Sequence, residues 1–212
     1  MKPLVYGLRE SVYTRIVLLT LEEKEVAYDF KDVDLFGDEG IPEEYLKLHP
    51  FGRIPTLTYG HLNLYETGAI TRYVDEAFSG YPLQSESPRS RARMNQAISM
   101  LDSYAYRPMI WDVFVERLVV PEEGGTPNEE TIKNALPVAE ICVQEFESWL
   151  SIGPFLAGQR LSLADLHATP MLLYFAQTPE GTEMLGSAPG LQEWLERMTA
   201  RPSVKSTESV YG

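Results

Sequence analysis

The sequence predicts two domains of different class, an α/β unit over residues 1–79 and an all-α unit over residues 88–212. Three observations carry that reading. Strand and helix patterns alternate before residue 80, in the manner of an α/β unit. Turn formers crowd the stretch from Ser79 to Pro88, where no apolar period exists, so the domain boundary falls there. Beyond it, apolar residues recur only at helical spacing. A chain of 212 residues also exceeds the ~100–150-residue mode of a single domain.

Leu4-Val5-Tyr6 is a short apolar strand ending at Gly7. Ser11 stands as N-cap before Tyr13, Ile16, Val17 and Leu21, and Glu22-Glu23-Lys24 is the solvated end of that helix. Val26-Ala27-Tyr28-Asp29-Phe30 alternates like a half-buried strand. Gly37 to Pro42 reads as loop, and Pro42-Glu43-Glu44-Tyr45-Leu46 as a short helix with proline in its first turn. The Gly60-His61 turn joins strands 56–59 and 62–65 as a hairpin, and a helix from Thr67 to about Phe78 closes the unit. In the second domain Met94, Ile98, Leu101, Ala105, Trp111, Phe114, Val115 and Leu118 repeat at helical spacing, with Pro108 expected to kink or interrupt the helix. Ile132, Leu136, Ala139, Val143, Phe146 and Leu150 make a second stripe around Pro137. Ser162-Leu163-Ala164-Asp165 opens a third helix as a capping box, with Asp in place of the usual Glu. The last helix runs near Leu191 to Thr199 and stops at Pro202.

Composition narrows the functional classes. Hydrophobic residues at 44% and charged residues at 23% lie near globular averages. The formal net charge of -13 opposes binding to a phosphate backbone, so nucleic acid is not an expected partner. No run reaches the ~18 apolar residues of a membrane span, and the N-terminus lacks a basic region followed by a long apolar one, so a cytoplasmic chain is expected. The single cysteine, Cys142, forbids an intrachain disulfide. His61 and His167 show no metal-ligand spacing, and no phosphate-cradling glycine loop is present. No metal is expected.

Residues 51–67 are the most informative stretch, reading as turn, proline-broken strand, hairpin and helix start in succession. Pro55 removes a backbone donor at a strand entrance, which leaves neighbouring amide and carbonyl groups for a peptide-like ligand. The first-turn amides of the helix beginning at Glu66-Thr67 favour a carboxylate, and the Thr67 hydroxyl caps the helix or donates to the ligand. Glu66 offers the opposite charge for an ammonium. Together these groups suit a small zwitterion with a peptide backbone.

Four segments together resemble the cytosolic glutathione transferases, over nearly the whole chain. Ser11-Val12-Tyr13-Thr14-Arg15 is similar to the Ser-Pro-x-x-Arg start of helix 1 in serine-type members. His49-Pro50-Phe51-Gly52-Arg53-Ile54-Pro55 resembles their Asn-Pro-x-Gly-x-Val-Pro, and Leu64-Tyr65-Glu66-Thr67-Gly68-Ala69-Ile70 their x-x-Glu-Ser-x-Ala-Ile. The box from Ser162 to Asp165 resembles the family's helical-domain capping motif. Val12, His49 and Thr67 depart from the usual proline, asparagine and serine. Phi, Tau, Theta and bacterial groups all place serine here, so the class stays open.

The resemblance implies a thioredoxin-like N-terminal domain that binds glutathione as co-substrate and an all-helical C-terminal domain that receives a small hydrophobic electrophile. It implies Ser11 as hydrogen-bond donor to the sulfur, with Tyr6 the alternative donor, and a cis Ile54-Pro55 bond with the Ile54 main chain pairing the cysteinyl backbone. Arg53 corresponds to the contact with the glycyl end, His49 to a further ligand contact, and Glu66 and Thr67 to the γ-glutamyl end. Leu8, Leu35, Arg107 and Trp111 are the expected electrophile pocket. A homodimer is also expected, with the segment from Ser87 to Met100 at its interface. There Arg89, Arg91 and Arg93 sit at a helix start, where cations are unfavourable unless carboxylates such as Asp75 and Glu76 lie near. A glutathione-dependent isomerase, peroxidase or dehalogenase, or a non-catalytic binding protein of the same fold, are the alternatives.

Overall fold

A computed structural model of the chain describes residues 1–33, 35 and 40–211. The expected loop from Gly37 to Pro42 falls in part on Gly37, Asp38 and Glu39, which lie outside the described residues. Two units emerge, one formed by Met1–Leu83 with Pro202–Tyr211 and the other by Gln84–Arg201.

The first unit has the thioredoxin-like order β1 (Leu4–Gly7), α1 (Val12–Glu23), β2 (Asp29–Asp32), α2 (Glu43–Leu46), β3 (Thr56–Tyr59), β4 (Leu62–Tyr65) and α3 (Thr67–Ala77). The sheet order is β2-β1-β3-β4, with β1 parallel to β2 and antiparallel to β3. Gly60, at φ 62°, turns the β3–β4 hairpin so that Leu57 pairs Leu64. Val5 and Leu57 of the sheet close a core with Val17, Leu18 and Leu21 of α1 and Ile70 and Val74 of α3.

Strand β2 starts three residues later than the alternation from Val26 suggests. The reason is how α1 ends. Glu25 adopts φ 54°, and its N–H reaches Glu22 O at 3.0 Å while Val26 N–H reaches Leu21 O at 2.9 Å. These two bonds are a Schellman motif, so Val26 still belongs to the helix terminus and cannot join the sheet. Pairing begins at Asp29, opposite Leu4.

The two long helices of this unit are tied at their C-terminal ends by a buried ion pair. Lys24 Nζ donates to Asp75 Oδ1 at 3.1 Å, to Asp75 O at 3.0 Å and to Tyr81 O at 3.2 Å, and Leu83 N–H donates to Asp75 Oδ1 at 2.8 Å. Lys24 is thus a buried partner of Asp75 within the same unit. The last helix of the chain, α10 (Pro202–Ser206), also belongs here and not to the helical unit expected over 88–212, because Arg15 Nη2 donates to Val204 O at 3.3 Å and Ser203 Oγ to Glu23.

In the second unit, α4 (Pro88–Met100) continues through wide turns at Leu101–Ala105 and Arg107–Val119 to α5 (Val120–Glu122), followed by α6 (Glu129–Leu150), α7 (Leu163–Phe175), α8 (Pro179–Gly186) and α9 (Pro189–Thr199). Pro108 does not interrupt the helical run. Tyr106 N–H reaches Leu101 O and Val120 N–H reaches Val115 O, five residues back, and Tyr106 keeps φ -58° and ψ -50°. This π-helical bonding absorbs the proline's missing donor in a widened turn. Helix α6 likewise runs through Pro137.

Helix α7 is buried along nearly its whole length, and its first turn organises the unit. Asp165 Oδ2 accepts from Ser162 N at 2.9 Å and Ser162 Oγ at 2.8 Å, completing the capping box, while Oδ1 accepts from Leu156 N and Trp194 Nε1, both at 2.9 Å. Burial pushes this carboxyl above its ordinary pKa, and the hydrogen bonds oppose that rise. Helices α8 and α10 escape the sequence reading because each is short, although Thr178-Pro179 carries a capping signal, with Thr178 Oγ1 accepting from Gly181 N at 3.0 Å. Among the described residues no helix is long and apolar enough to cross a membrane.

Lys24→Met, which strands the buried Asp75 carboxylate, is expected to destabilise the protein by about 3–5 kcal/mol in urea unfolding. A loss below about 1 kcal/mol would show that the pair does not hold the helices.

Candidate functional site

The site residues of the first unit gather on the ends of α1 and α3 and on the α2–β3 loop. Gly7 lets α1 begin close against the end of β1, since a Cβ there would lie 2.4 Å from Thr14 Oγ1. Ser11 N–H donates to Leu8 O at 3.1 Å, and Ser11 Oγ accepts from Thr14 N at 3.3 Å. The Ser11 hydroxyl proton has no acceptor among the described residues, so the cap leaves it free to donate to a ligand. Tyr6 is half-buried, with its ring centroid 6.1 Å from that of Tyr45 and Lys31 Nζ 5.6 Å above its face.

The loop between α2 and β3 is held at several points. Gly52 at φ 59° turns it where a Cβ would meet Ile41 Cδ1 at 2.5 Å. Asn63 Nδ2 donates to Leu48 O at 2.7 Å, and Tyr45 Oη donates to Arg53 O at 2.6 Å. The Ile54-Pro55 bond is cis, as the resemblance implies, and Ile54 lies just ahead of the β3 ladder. Arg53 and Phe51 are exposed, Phe51 at 70%.

His49 is turned inward at 2% exposure. Its Nδ1 accepts from Phe51 N at 3.3 Å, and its ring lies 4.7 Å from that of Tyr65. Burial lowers its pKa, with Glu66 opposing and Arg53 reinforcing the fall. The asparagine-to-histidine departure therefore supplies a neutral ring that shapes the loop from inside.

Glu66 occupies φ 71° and ψ 111°, a conformation uncommon for a residue with a side chain. Its carbonyl accepts Ala69 N at 2.9 Å and Ile70 N at 3.0 Å, starting α3 without a side-chain cap. The amides of Thr67 and Gly68 consequently have no intrahelical carbonyl. Thr67 is nearly covered and Glu66 is exposed, so a ligand carboxylate and ammonium would meet different groups of this one turn.

The four residues expected around an electrophile divide between the units. Leu8 and Leu35 are half-buried in the first. In the second, Arg107 is exposed and its Nε donates to Asp112 Oδ1 at 2.9 Å, while Trp111 is 43% exposed. Cys142 lies buried in α6, where burial pushes its thiol up to about 11, so it stays protonated and unreactive. Among the described residues no group of three or more His, Cys, Asp or Glu could hold a metal ion. Sequence reasoning passed over Tyr45 and Asn63, whose side chains fix the loop; the only cue was an aromatic on the short helix just before it.

Comparison with known proteins agrees with this geometry. Residues 5–82 match the family model for the glutathione S-transferase N-terminal domain and residues 94–202 that for its C-terminal domain. A probable glutathione S-transferase GSTF1 of Oryza sativa subsp. japonica is 32% identical over 97% of this chain and 95% of its own. The crystal structure of glutathione transferase F7 from Populus trichocarpa superposes with TM-score 0.87 at 31% identity, covering 97% of each chain. Glutathione S-transferase I from maize, solved in complex with an atrazine glutathione conjugate, gives TM-score 0.87 at 25% identity, covering 98% of this chain and 96% of that one.

Because folding lowers the His49 pKa, the unfolded chain binds its proton more readily. Its neutral form therefore supports the fold fully above about pH 6.5, and that support is lost as pH falls through the lowered value. An NMR titration of the His49 ring is expected to give a midpoint below about 6.5. A midpoint at or above that value would place the ring in solvent.

Proposed function

Because the chain belongs to the glutathione S-transferase family, we propose that glutathione lies across the first unit with its sulfur at Ser11 and its γ-glutamyl end at the start of α3. The observation that carries this reading is the pair of helix N-termini. Helices α1 and α3 pack together and are tied at their C-terminal ends by Lys24 and Asp75, so both N-termini, with their unpaired amides, open on one side of the unit.

Each group then has a distinct role. The Ser11 hydroxyl donates to the sulfur, and the α1 amides add the positive end of the helix dipole. A free thiol of this kind has a pKa of about 8.5. The dipole contributes roughly 0.3–1 kcal/mol and a hydrogen bond to a charged group roughly 1.5–3 kcal/mol, together a fall of roughly one to three units. The thiolate sulfur forms a bond to an electrophilic carbon, and the leaving group departs with the electron pair. Ser11 stays unmodified throughout. Thr67 and Gly68 amides receive the γ-glutamyl carboxylate, Glu66 its ammonium, the Ile54 main chain the cysteinyl backbone and Arg53 the glycyl carboxylate. Leu8 and Leu35 offer apolar surface in the same unit for a small hydrophobic electrophile. His49 acts from behind the loop.

The protein is further proposed to be cytoplasmic and a homodimer. Exposed Phe51 gives a dimer an apolar anchor. The arginine-rich start of α4 contributes less than its charge suggests, since Arg91 Nε donates to Ser85 O at 2.9 Å and Arg93 lies 4.9 Å from the Trp149 ring centroid. Sedimentation at micromolar concentration and physiological salt should give twice the 24.0 kDa chain mass; a 24.0 kDa particle would remove the dimer.

Ser11→Ala is expected to keep glutathione affinity within a few-fold while lowering kcat at least about tenfold, ~1.4 kcal/mol of transition-state stabilisation. Unchanged turnover with a generic aryl halide would move the donor role to Tyr6 or to main-chain amides.

Glu66→Ala and Arg53→Ala should instead raise the KM for glutathione with a smaller effect at saturation, the signature of uniform binding lost. Wild-type KM in both variants would contradict the placement of the tripeptide's ends.

A further inference from the structure

The geometry points to Tyr45 as a positioning residue for glutathione, acting through the loop that carries Ile54; the inference rests on the glutathione reading above. Tyr45 is 4% exposed and grips both ends of that loop. Its main-chain carbonyl accepts Leu48 N and His49 N, both at 2.9 Å, where the loop leaves α2. Its phenol reaches the other end, 2.6 Å from Arg53 O and 3.0 Å from Thr56 Oγ1.

The proton count makes this grip specific. A carbonyl only accepts, so the single phenol proton goes to Arg53 O. Thr56, which is fully buried, must then donate its own hydroxyl proton to Tyr45 Oη. The chain is therefore Thr56 to Tyr45 to the Arg53 carbonyl, with each donor used once. Burial raises the Tyr45 pKa, so the phenol keeps its proton at neutral pH. Arg53 and Thr56 bracket Ile54 and Pro55, the two residues whose backbone must stand still for an extended peptide to pair with Ile54.

Removing the phenol oxygen leaves the Arg53 carbonyl and the Thr56 hydroxyl each short of a partner, and the bracketed residues gain freedom that a ligand must then quench. That cost falls on ground state and transition state alike, because the sulfur is not involved. It therefore appears in affinity and not in turnover.

The test is Tyr45→Phe, which removes only the hydroxyl. Glutathione Kd and KM are expected to rise about tenfold, or ~1.4 kcal/mol, while kcat at saturating glutathione and its pH profile stay within about twofold. S-methylglutathione, which has no thiol, should lose affinity by the same factor. Thr56→Val keeps the bond from Tyr45 to Arg53 and should weaken binding less than about threefold. Wild-type affinity in Tyr45→Phe would overturn the inference, as would a fall in kcat with Kd unchanged or an equal loss in the two variants. If the unmodified protein itself binds no glutathione, the broader reading fails and this one fails with it.

Discussion

The buried Lys24–Asp75 pair is the constraint on which the site depends. Both side chains are almost wholly removed from water, at 3% and 5% exposure, so neither tolerates the loss of its partner. The ammonium satisfies its three donors on Asp75 Oδ1, Asp75 O and Tyr81 O, and the carboxylate also caps Leu83 N. Twelve-residue α1 and eleven-residue α3 are of similar length, roughly 18 and 16 Å. Fixing their C-terminal ends together therefore sets the two N-termini, which carry Ser11 and Thr67, toward the same side of the unit. The apolar contacts of Val17, Leu18, Ile70 and Val74 supply attraction between the helices. The ion pair supplies register.

The electrostatics are local. A chain of net charge -13 offers no long-range attraction to an anionic tripeptide. On the proposed placement, binding comes from short-range donors, namely the first-turn amides of α1 and α3, the Ser11 hydroxyl and the Arg53 guanidinium. Such donors are worth most when they are already in place, which is why the loop before β3 is held by Tyr45, Asn63 and His49 and why Glu66 is kept at φ 71°. On the proposed placement, reactivity and affinity are separable, with the sulfur at α1 and the ends of the peptide at α3 and the loop.

The fold was legible wherever local chemistry agrees with packing. Ser11, the Gly60-His61 turn and the Ser162–Asp165 box each name their own structure, and all three stand where the pattern puts them. The reading fails where a local signal is overruled. Val26 alternates like a strand residue, but the Schellman bond to Leu21 claims its amide. Pro108 looks like a break, yet bonding five residues back carries the helix past it. Asp75 reads as a surface acid at a helix end, and only the fold reveals Lys24, 51 positions away in sequence, as its partner. The residues proposed to face the ligand lie in short motifs and could be named from them. Tyr45 could not, because its role consists of hydrogen bonds to a backbone carbonyl and a threonine hydroxyl that no periodicity encodes.

The most direct test of the account is a crystal structure of the glutathione complex, read as the distances from the ligand to α1 and α3. The account predicts the sulfur within about 3.5 Å of Ser11 Oγ and the γ-glutamyl carboxylate within hydrogen-bonding reach of the Thr67 and Gly68 amides. A sulfur bonded to Tyr6 instead, or a tripeptide lying away from the start of α3, would contradict it.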